Sequence, residues 1–338
     1  MLAVTSLGNN SALPAFDRHP TAQIVTMEDH IFLVDCGEGT QMQMAKYKIR
    51  RSKINHIFIS HLHGDHYFGL IGLLTSMGLL GRTQDLHIHA PSALQEIIGL
   101  QLKVADIHLP YGLHFHSLNQ PLNPLNQPPN PLNPLNQPPN PLNPLNPLNL
   151  LNRPLNDEPT LLLREARYEV SCFPVIHRIE CWGFIFREVR PFRRVNPEKA
   201  RQHDVPASFF DRLKWGESYQ KKDGTVVENE WVTDPASKAR SYAYAADTMF
   251  DERIAAYVRG VDLLYHETTY LKDLEMQAGR RFHSTTAQAA TIALKAGVQR
   301  LLIGHFSSKY EKLQAFEQEA REIFPNSDLA LEGVTYKI

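Results

Sequence analysis

Cysteine is scarce. The 338 residues hold three, Cys36, Cys172 and Cys181, and no two of them form a CxxC pair. This excludes a disulfide framework and a cysteine-built structural zinc cluster. No apolar run reaches the ~20 residues that a membrane-spanning helix needs. The start of the sequence has no charged leader followed by an apolar core, so a cytoplasmic protein is expected. Excess charge is lacking too. Lys plus Arg number 35 against 36 Asp plus Glu, a formal charge of −1. The chain as a whole therefore carries no footprint for nucleic acid, and any such contact must come from local basic patches. The length suffices for a sizeable core and is read as one domain over residues 1–338.

Histidine is plentiful, at 16 residues, and its placement is uneven. His61-Leu62-His63-Gly64-Asp65-His66 follows the apolar run Ile57-Phe58-Ile59. The run reads as a short buried strand, which places the polar side chains in the turn after its end. Three imidazoles and a carboxylate so close in sequence project in different directions and cannot all hold one ion. His61 and His63 suit one metal, leaving Asp65 and His66 for a second; imidazole with carboxylate suits zinc and similar ions. Further along, His177 follows Tyr168–Val175, Asp247 follows Ser241–Ala245, and His305 follows Leu301-Leu302-Ile303. Each again ends an apolar run. The expected arrangement has His61, His63 and His177 on the first metal, and Asp65, His66 and His305 on the second. Asp247 bridges them, giving a metal separation of roughly 3.5–4 Å that suits phosphoryl chemistry.

Other polar residues are less specific. Asp35, at the end of a strand over 31–34, reads either as a carboxylate orienting a ligand imidazole or as the N-cap of a helix over 38–46. His87, His89, His114 and His116 alternate with apolar residues and are expected on an exposed or rim face, not as ligands; His108 is not a ligand either. Helices are expected over 69–80, after a capping box at Ser92–Gln95, between Thr285 and Gly297, and after a second box at Ser308–Glu311.

Residues 119–156 differ in kind. The stretch 127–136 reads QPPNPLNPLN and 137–146 repeats it letter for letter. Proline at that density forbids helix and central strand. The expectation is a disordered Pro/Leu/Asn-rich loop insertion without catalytic residues. Residues 187–235 carry Arg190, Arg193, Arg194, Lys199 and Arg201 among other bases, interleaved with Phe192, Phe209, Phe210, Trp215 and Tyr219. That mixture suits a phosphate backbone and unstacked bases. Asn196-Pro197 reads as a helix start.

These stretches resemble a known family. HxHxDH with later His, Asp and His ligands is similar to the metallo-β-lactamase superfamily. Val34-Asp35-Cys36-Gly37-Glu38-Gly39-Thr40-Gln41, Tyr244-Ala245-Ala246-Asp247-Thr248, His266-Glu267-Thr268-Thr269, His283-Ser284-Thr285 and His305-Phe306-Ser307-Ser308 narrow the resemblance to ribonuclease Z, the endonuclease that matures tRNA 3′ ends. The resemblance implies a four-layer αββα sandwich binding two Zn2+ per chain, acting as a homodimer on precursor tRNA and leaving a 3′-hydroxyl. It implies that Asp65, Glu267 and His283 are catalytic, with Glu267 orienting His283 as proton donor, and it favours the metal-site role for Asp35. It also implies that 187–235 form a tRNA-binding arm, although Asp204-Val205-Pro206-Ala207-Ser208 stands where a Gly-Pro element is expected. Two alternatives remain open: a hydrolase of the same superfamily acting on small phosphodiesters, and a non-catalytic RNA-binding protein.

Overall fold

The computed structural model describes residues 2–118, 158–189, 192–236 and 238–338. The repeat insertion, Arg190 and Ser237 fall outside the described residues. In chain order the strands are β1 (Leu2–Gly8), β2 (Ala22–Met27), β3 (His30–Val34), β4 (Ile54–Phe58), β5 (Leu86–Ala90), β6 (Leu113–Ser117), β7 (Thr160–Arg164), β8 (Tyr168–Val175) and β9 (Cys181–Glu188). Then come four two-residue strands, β10 (Arg194–Val195), β11 (Tyr219–Gln220), β12 (Val226–Val227) and β13 (Thr233–Asp234). The chain closes with β14 (Ser241–Ala245), β15 (Leu263–Glu267), β16 (Arg300–Gly304), β17 (Ser327–Leu329) and β18 (Thr335–Lys337).

Two seven-stranded sheets result, in the orders β18-β1-β2-β3-β4-β5-β6 and β17-β16-β15-β14-β9-β8-β7. β3 through β6 run parallel, and so do β14 through β17. Period-two alternation sorts the faces. Ile57 and Ile88 pack with Met44, Leu73, Leu74, Met77, Leu94 and Ile98, from the helices Thr40–Lys46, Leu70–Leu79 and Ala93–Val104. Phe32 and Phe58 point the other way and meet Phe186 and Phe184 of the second sheet at ring-centroid distances of 5.6 and 5.4 Å. Helices Thr286–Ala296 and Gln314–Ile323 serve the second sheet. The layers are αββα.

Local signals account for several helix ends. Thr285 and Gln288 form the expected capping box, and Gly297 closes that helix at φ +63°. The Asn196 side chain accepts from the amides of Glu198 and Lys199. Two expected boxes are absent. Ser92 already has helical angles (φ −55°, ψ −33°), so its hydroxyl makes no cap. At the other, Arg18 donates to the carbonyls of Tyr310 and Glu311. Those carbonyls are held out of a helix, which starts instead at Gln314. Asp35 is not a cap either: Gly39, at φ +81°, precedes the helix Thr40–Lys46.

The chain divides into two compact units. One comprises residues 1–163, 170–186 and 241–338; the other comprises 164–169 and 187–240. The second unit has its own core of Ala200, Val205, Leu213, Val227 and Val232. The Asn229 amide ties it by donating to the carbonyls of Leu213 and Glu217 at 2.9 and 2.8 Å. The Arg167 guanidinium lies 3.4 Å from the Phe192 ring centroid.

Of the strand histidines, His89 is buried and not on an exposed or rim face, whereas His114 lies on the edge strand β6 beside the exposed Asp85. His56, His87, His89 and His116 share the inner face with Phe58, and His89 is 2 % exposed. The His56 and His89 rings approach at 3.2 Å and those of His87 and His116 at 2.9 Å. Burial and the neighbouring imidazoles push the pKa of His56 down to about 3 and of His116 to about 4; burial also holds His89 well below the ordinary value. The folded ladder is neutral, whereas the unfolded chain takes up protons below about pH 6.5. Its stability contribution is therefore complete above that pH and lost as pH falls, by up to about 1.4 kcal/mol per proton and pH unit. Urea unfolding at pH 7 and pH 5 should show a smaller loss on acidification for His56→Phe/His89→Phe than for the parent. Equal losses would refute the role of the ladder.

Candidate metal centre

The site is assembled at strand ends. Asp35 leaves β3 with φ +55°, a left-handed conformation rare for a side-chain-bearing residue. This turns Cys36 so that its amide donates to the His66 carbonyl at 2.7 Å, while its carbonyl accepts from Gly69 at 2.9 Å. At Gly37 a Cβ would come within 2.4 Å of the Asp65 carbonyl oxygen. Only glycine allows the Asp35–Gly37 turn to nest against the turn that follows β4. Phe282 and His305 also have positive φ, at +60° each. Such residues cost about 1–3 kcal/mol each, and three of them surround this one site.

Two overlapping donor groups form there. His61, His63, His177 and Asp247 make one; Asp65, His66, Asp247 and His305 make the other, with the donor atoms of each group within 4.8 Å of one another. The Nδ1 of His63 lies 3.0 Å from the Nε2 of both His61 and His177. The Nε2 of His305 lies 3.4 Å from Asp65 Oδ2 and 3.2 Å from Asp247 Oδ1. All these residues but His63 and Asp65 are buried. Burial opposes ionisation of Asp65 and Asp247, yet His66 beside the first and His305 beside the second hold both below the ordinary carboxylate range.

The far side of most rings is already committed. His66 Nδ1 donates to Asp35 at 2.8 Å and His177 Nδ1 to the Phe282 carbonyl at 2.9 Å. His61 Nδ1 lies 3.0 Å from Ser60 Oγ, and His305 Nδ1 lies 2.9 Å from Thr269 Oγ1. Each Nε2 lone pair is thereby left facing the pocket, as a metal ligand requires. Among the described residues, His66 Nε2 and Asp247 Oδ1 are buried without a hydrogen-bond partner although only 3.3 Å apart. Orphaned buried groups of this kind are costly, and a cation would satisfy both. The donor set, imidazole with carboxylate, fits a borderline divalent metal.

Beside the second group lies a His–Glu pair. Glu267 is fully buried, and its Oε1 accepts from His283 Nδ1 at 3.0 Å and from the Ser284 amide at 2.9 Å. Burial disfavours the charged imidazole of His283, but the Glu267 carboxylate outweighs it and raises the pKa. The same contact keeps Glu267 ionised against its own burial. His283 Nδ1 is 4.0 Å from Asp247 Oδ2, so the pair borders the donor pocket.

Thus His61, His63, Asp65, His66, His177, Asp247, Glu267, His283 and His305 lie together, with Asp35 behind His66. Sequence reasoning did not single out Ser60, Tyr244, Thr269 or the Phe282 carbonyl. Ser60 adjoins a recognised motif and Tyr244 and Thr269 lie inside two others, which is a usable signal; a backbone carbonyl leaves none. Among the bases picked out in 187–235, Arg194, Lys199 and Arg201 are exposed in the second unit. Arg193 is half-buried and donates to Thr233 Oγ1 at 2.8 Å, so part of its role is to hold that unit together. Arg190 lies outside the described residues.

A family model described as anti-Pycsar protein Apyc1 matches residues 2–104, and one described as a β-lactamase superfamily domain matches 216–306. The human short-form tRNase Z structure superposes with TM-score 0.64 at 23 % identity, covering 99 % of both chains, a likeness of fold. Ribonuclease Z of Cytophaga hutchinsonii is 37 % identical over 334 residues, covering 98 % of this chain and 95 % of its own. That of Bacteroides thetaiotaomicron is 37 % identical over 332 residues, covering 98 % of this chain and 94 % of its own. Identity at that level, sustained over nearly the whole of both chains, makes this protein a member of the ribonuclease Z family.

Proposed function

We propose that the protein is a zinc-dependent endoribonuclease that removes the 3′ trailer from precursor tRNA and leaves a 3′-hydroxyl on the tRNA. The observation that carries this reading is the Glu267–His283 pair beside two donor groups, in a chain 37 % identical to a ribonuclease Z over 98 % of its length. His61, His63, His177 and Asp247 would hold one ion, and Asp65, His66, Asp247 and His305 the other. Bound there, two zinc ions supply Lewis acidity that lowers the pKa of a water and offsets the phosphodiester charge.

The chain's own residues do the rest. Hydrolysis adds water across the P–O3′ bond, and the departing ribose oxygen needs a proton. His283 has Nδ1 bound to Glu267, so Nε2 is the atom that would donate. Glu267 stabilises the imidazolium before transfer and fixes the ring direction; proton donation by His283 would contribute about 10²–10⁴-fold in rate. Asp65 acts through the second donor group. Asp35 orients His66. The second unit would act as the tRNA-binding arm, with Arg194, Lys199 and Arg201 meeting phosphates. By family reasoning the protein works as a cytoplasmic homodimer.

Metal analysis of the purified protein should find about two zinc equivalents per chain. Asp247→Ala should lose affinity at both, whereas His177→Ala should weaken only one. Retention of both ions by Asp247→Ala would refute its shared role. Mapping product ends from a tRNA with a 3′ trailer tests the reaction itself. His283→Ala should slow the chemical step by about 10²–10⁴-fold and leave RNA binding unchanged. A small phosphodiester with an activated leaving group should suffer less, since it needs no proton.

Replacing Arg194, Lys199 and Arg201 by alanine should raise KM for precursor tRNA while sparing the small substrate. The salt dependence of RNA binding should flatten by about 0.7–0.9 units per lost phosphate contact. If both substrates decline equally in a folded variant, the second unit has a structural role and a generic phosphodiesterase gains.

A further inference from the structure

Thr269 stands between the two halves of the chemistry. It is 3 % exposed and follows β15 by two residues. Its hydroxyl donates to Glu267 Oε2 at 2.8 Å, and its amide donates to the same oxygen at 2.8 Å. The hydroxyl oxygen is also 2.9 Å from Nδ1 of His305. A hydroxyl has one proton and two lone pairs. With that proton given to an ionised carboxylate, the oxygen can only accept from His305, so the Nδ1 of His305 must carry hydrogen. In the neutral imidazole, the form that binds a metal, Nε2 is then a lone pair, and this is the atom 3.2 Å from Asp247 and 3.4 Å from Asp65.

Ser60 has the same design on the other side of the pocket. Its hydroxyl donates to Asp35 Oδ2 at 2.9 Å and lies 3.0 Å from His61 Nδ1. The two contacts differ in consequence. Asp35 bears on His66, another ring of the donor groups, whereas Glu267 bears on His283. Thr269 therefore links a ring of the donor pocket to the proton-donating pair through a single oxygen.

We propose that Thr269 is a positioning residue that sets the His305 tautomer and couples the second donor group to the Glu267–His283 pair. The inference rests on the metal reading given above. Valine has the shape of threonine without the hydroxyl, and serine keeps the hydroxyl without the methyl. Replacing a residue that orients a metal-ligating histidine typically costs about 10–100-fold in affinity. In competition with a chromophoric chelator, Thr269→Val should weaken one of the two zinc equivalents by about 10–100-fold and leave the other. Thr269→Ser should restore it, and kcat should follow the same order with little change in KM.

Thr269→Val holding both equivalents at parental strength would overturn the proposal. Thr269→Ser as weak as Thr269→Val would do the same, because a merely steric role does not distinguish hydroxyl from methyl in that way. If Thr269→Val fails to fold, nitrogen-15 NMR of the His305 ring in the unaltered protein decides. At a pH where the ring is neutral, hydrogen on Nδ1 supports the relay, and hydrogen on Nε2 with none on Nδ1 overturns it. The NMR measurement needs no metal, so it judges the relay even if the unaltered protein takes up no zinc. That last outcome would count against the metal reading alone.

Discussion

The structure depends on one buried carboxylate. Asp35 is fully out of water, a placement that costs several kcal/mol unless its lone pairs are filled. Four donors fill them: the Ser60 amide at 2.7 Å, the Ser60 hydroxyl at 2.9 Å, Tyr244 Oη at 2.6 Å and His66 Nδ1 at 2.8 Å. Tyr244 belongs to β14 in the second sheet, and Ser60 and His66 belong to the turn after β4 in the first. The carboxylate thus holds the two sheets and the HxHxDH turn in one register. Burial and the charge of Asp35 push the Tyr244 phenol well up, so it remains a donor across the whole working pH range.

Parallel strands explain why the remaining groups converge. β14, β15 and β16 are parallel neighbours, with Ala245 beside His266 and Glu267 beside Gly304. Their C-terminal ends deliver Asp247, Glu267 and His305 to one edge of the second sheet. β3 and β4, also parallel, deliver Asp35 and the turn beginning at Ser60 to the facing edge of the first. The C-terminal ends of parallel strands are where chemistry gathers in α/β proteins. Facing two such edges gives a pocket of donor side chains walled by sheet strands, and the buried hydroxyls of Ser60 and Thr269 hold the far nitrogens of two of its rings.

How much of this was legible follows from the range of each interaction. The six-residue cluster, the ligands ending apolar runs, the Thr285–Gln288 box and the Asn196 cap are local patterns, and the structure has residues at all of them. What escaped was long-range. Arg18 acts on the carbonyls of Tyr310 and Glu311 from nearly the other end of the chain and moves a helix start to Gln314. His89 alternates like a half-exposed strand residue, yet the second sheet covers the face it occupies. The Phe282 carbonyl that orients His177 is a backbone atom at φ +60°, and no side-chain pattern announces it. Thr269 sat inside a recognisable motif, but its double role requires knowing that β16 brings His305 alongside.

The same geometry bears on what a metal does for the fold. In a zinc finger the ligands are disordered without metal, and binding energy is folding energy. Here every ring of the donor groups but His63 has its second nitrogen held by the protein, and the helices and two sheets bury an apolar core built without these residues. What folding leaves unsettled is a cluster of polar atoms facing one another, with His66 Nε2 and Asp247 Oδ1 unbonded at 3.3 Å. A cation bound there would satisfy both atoms. Its binding energy then adds to the stability of a structure that already exists, by mass action on the native state. Ser60, Thr269 and Asp35 bond to the far nitrogens of the donor rings, so a lesion at any of them would act on ring geometry and leave the donor atoms themselves in place.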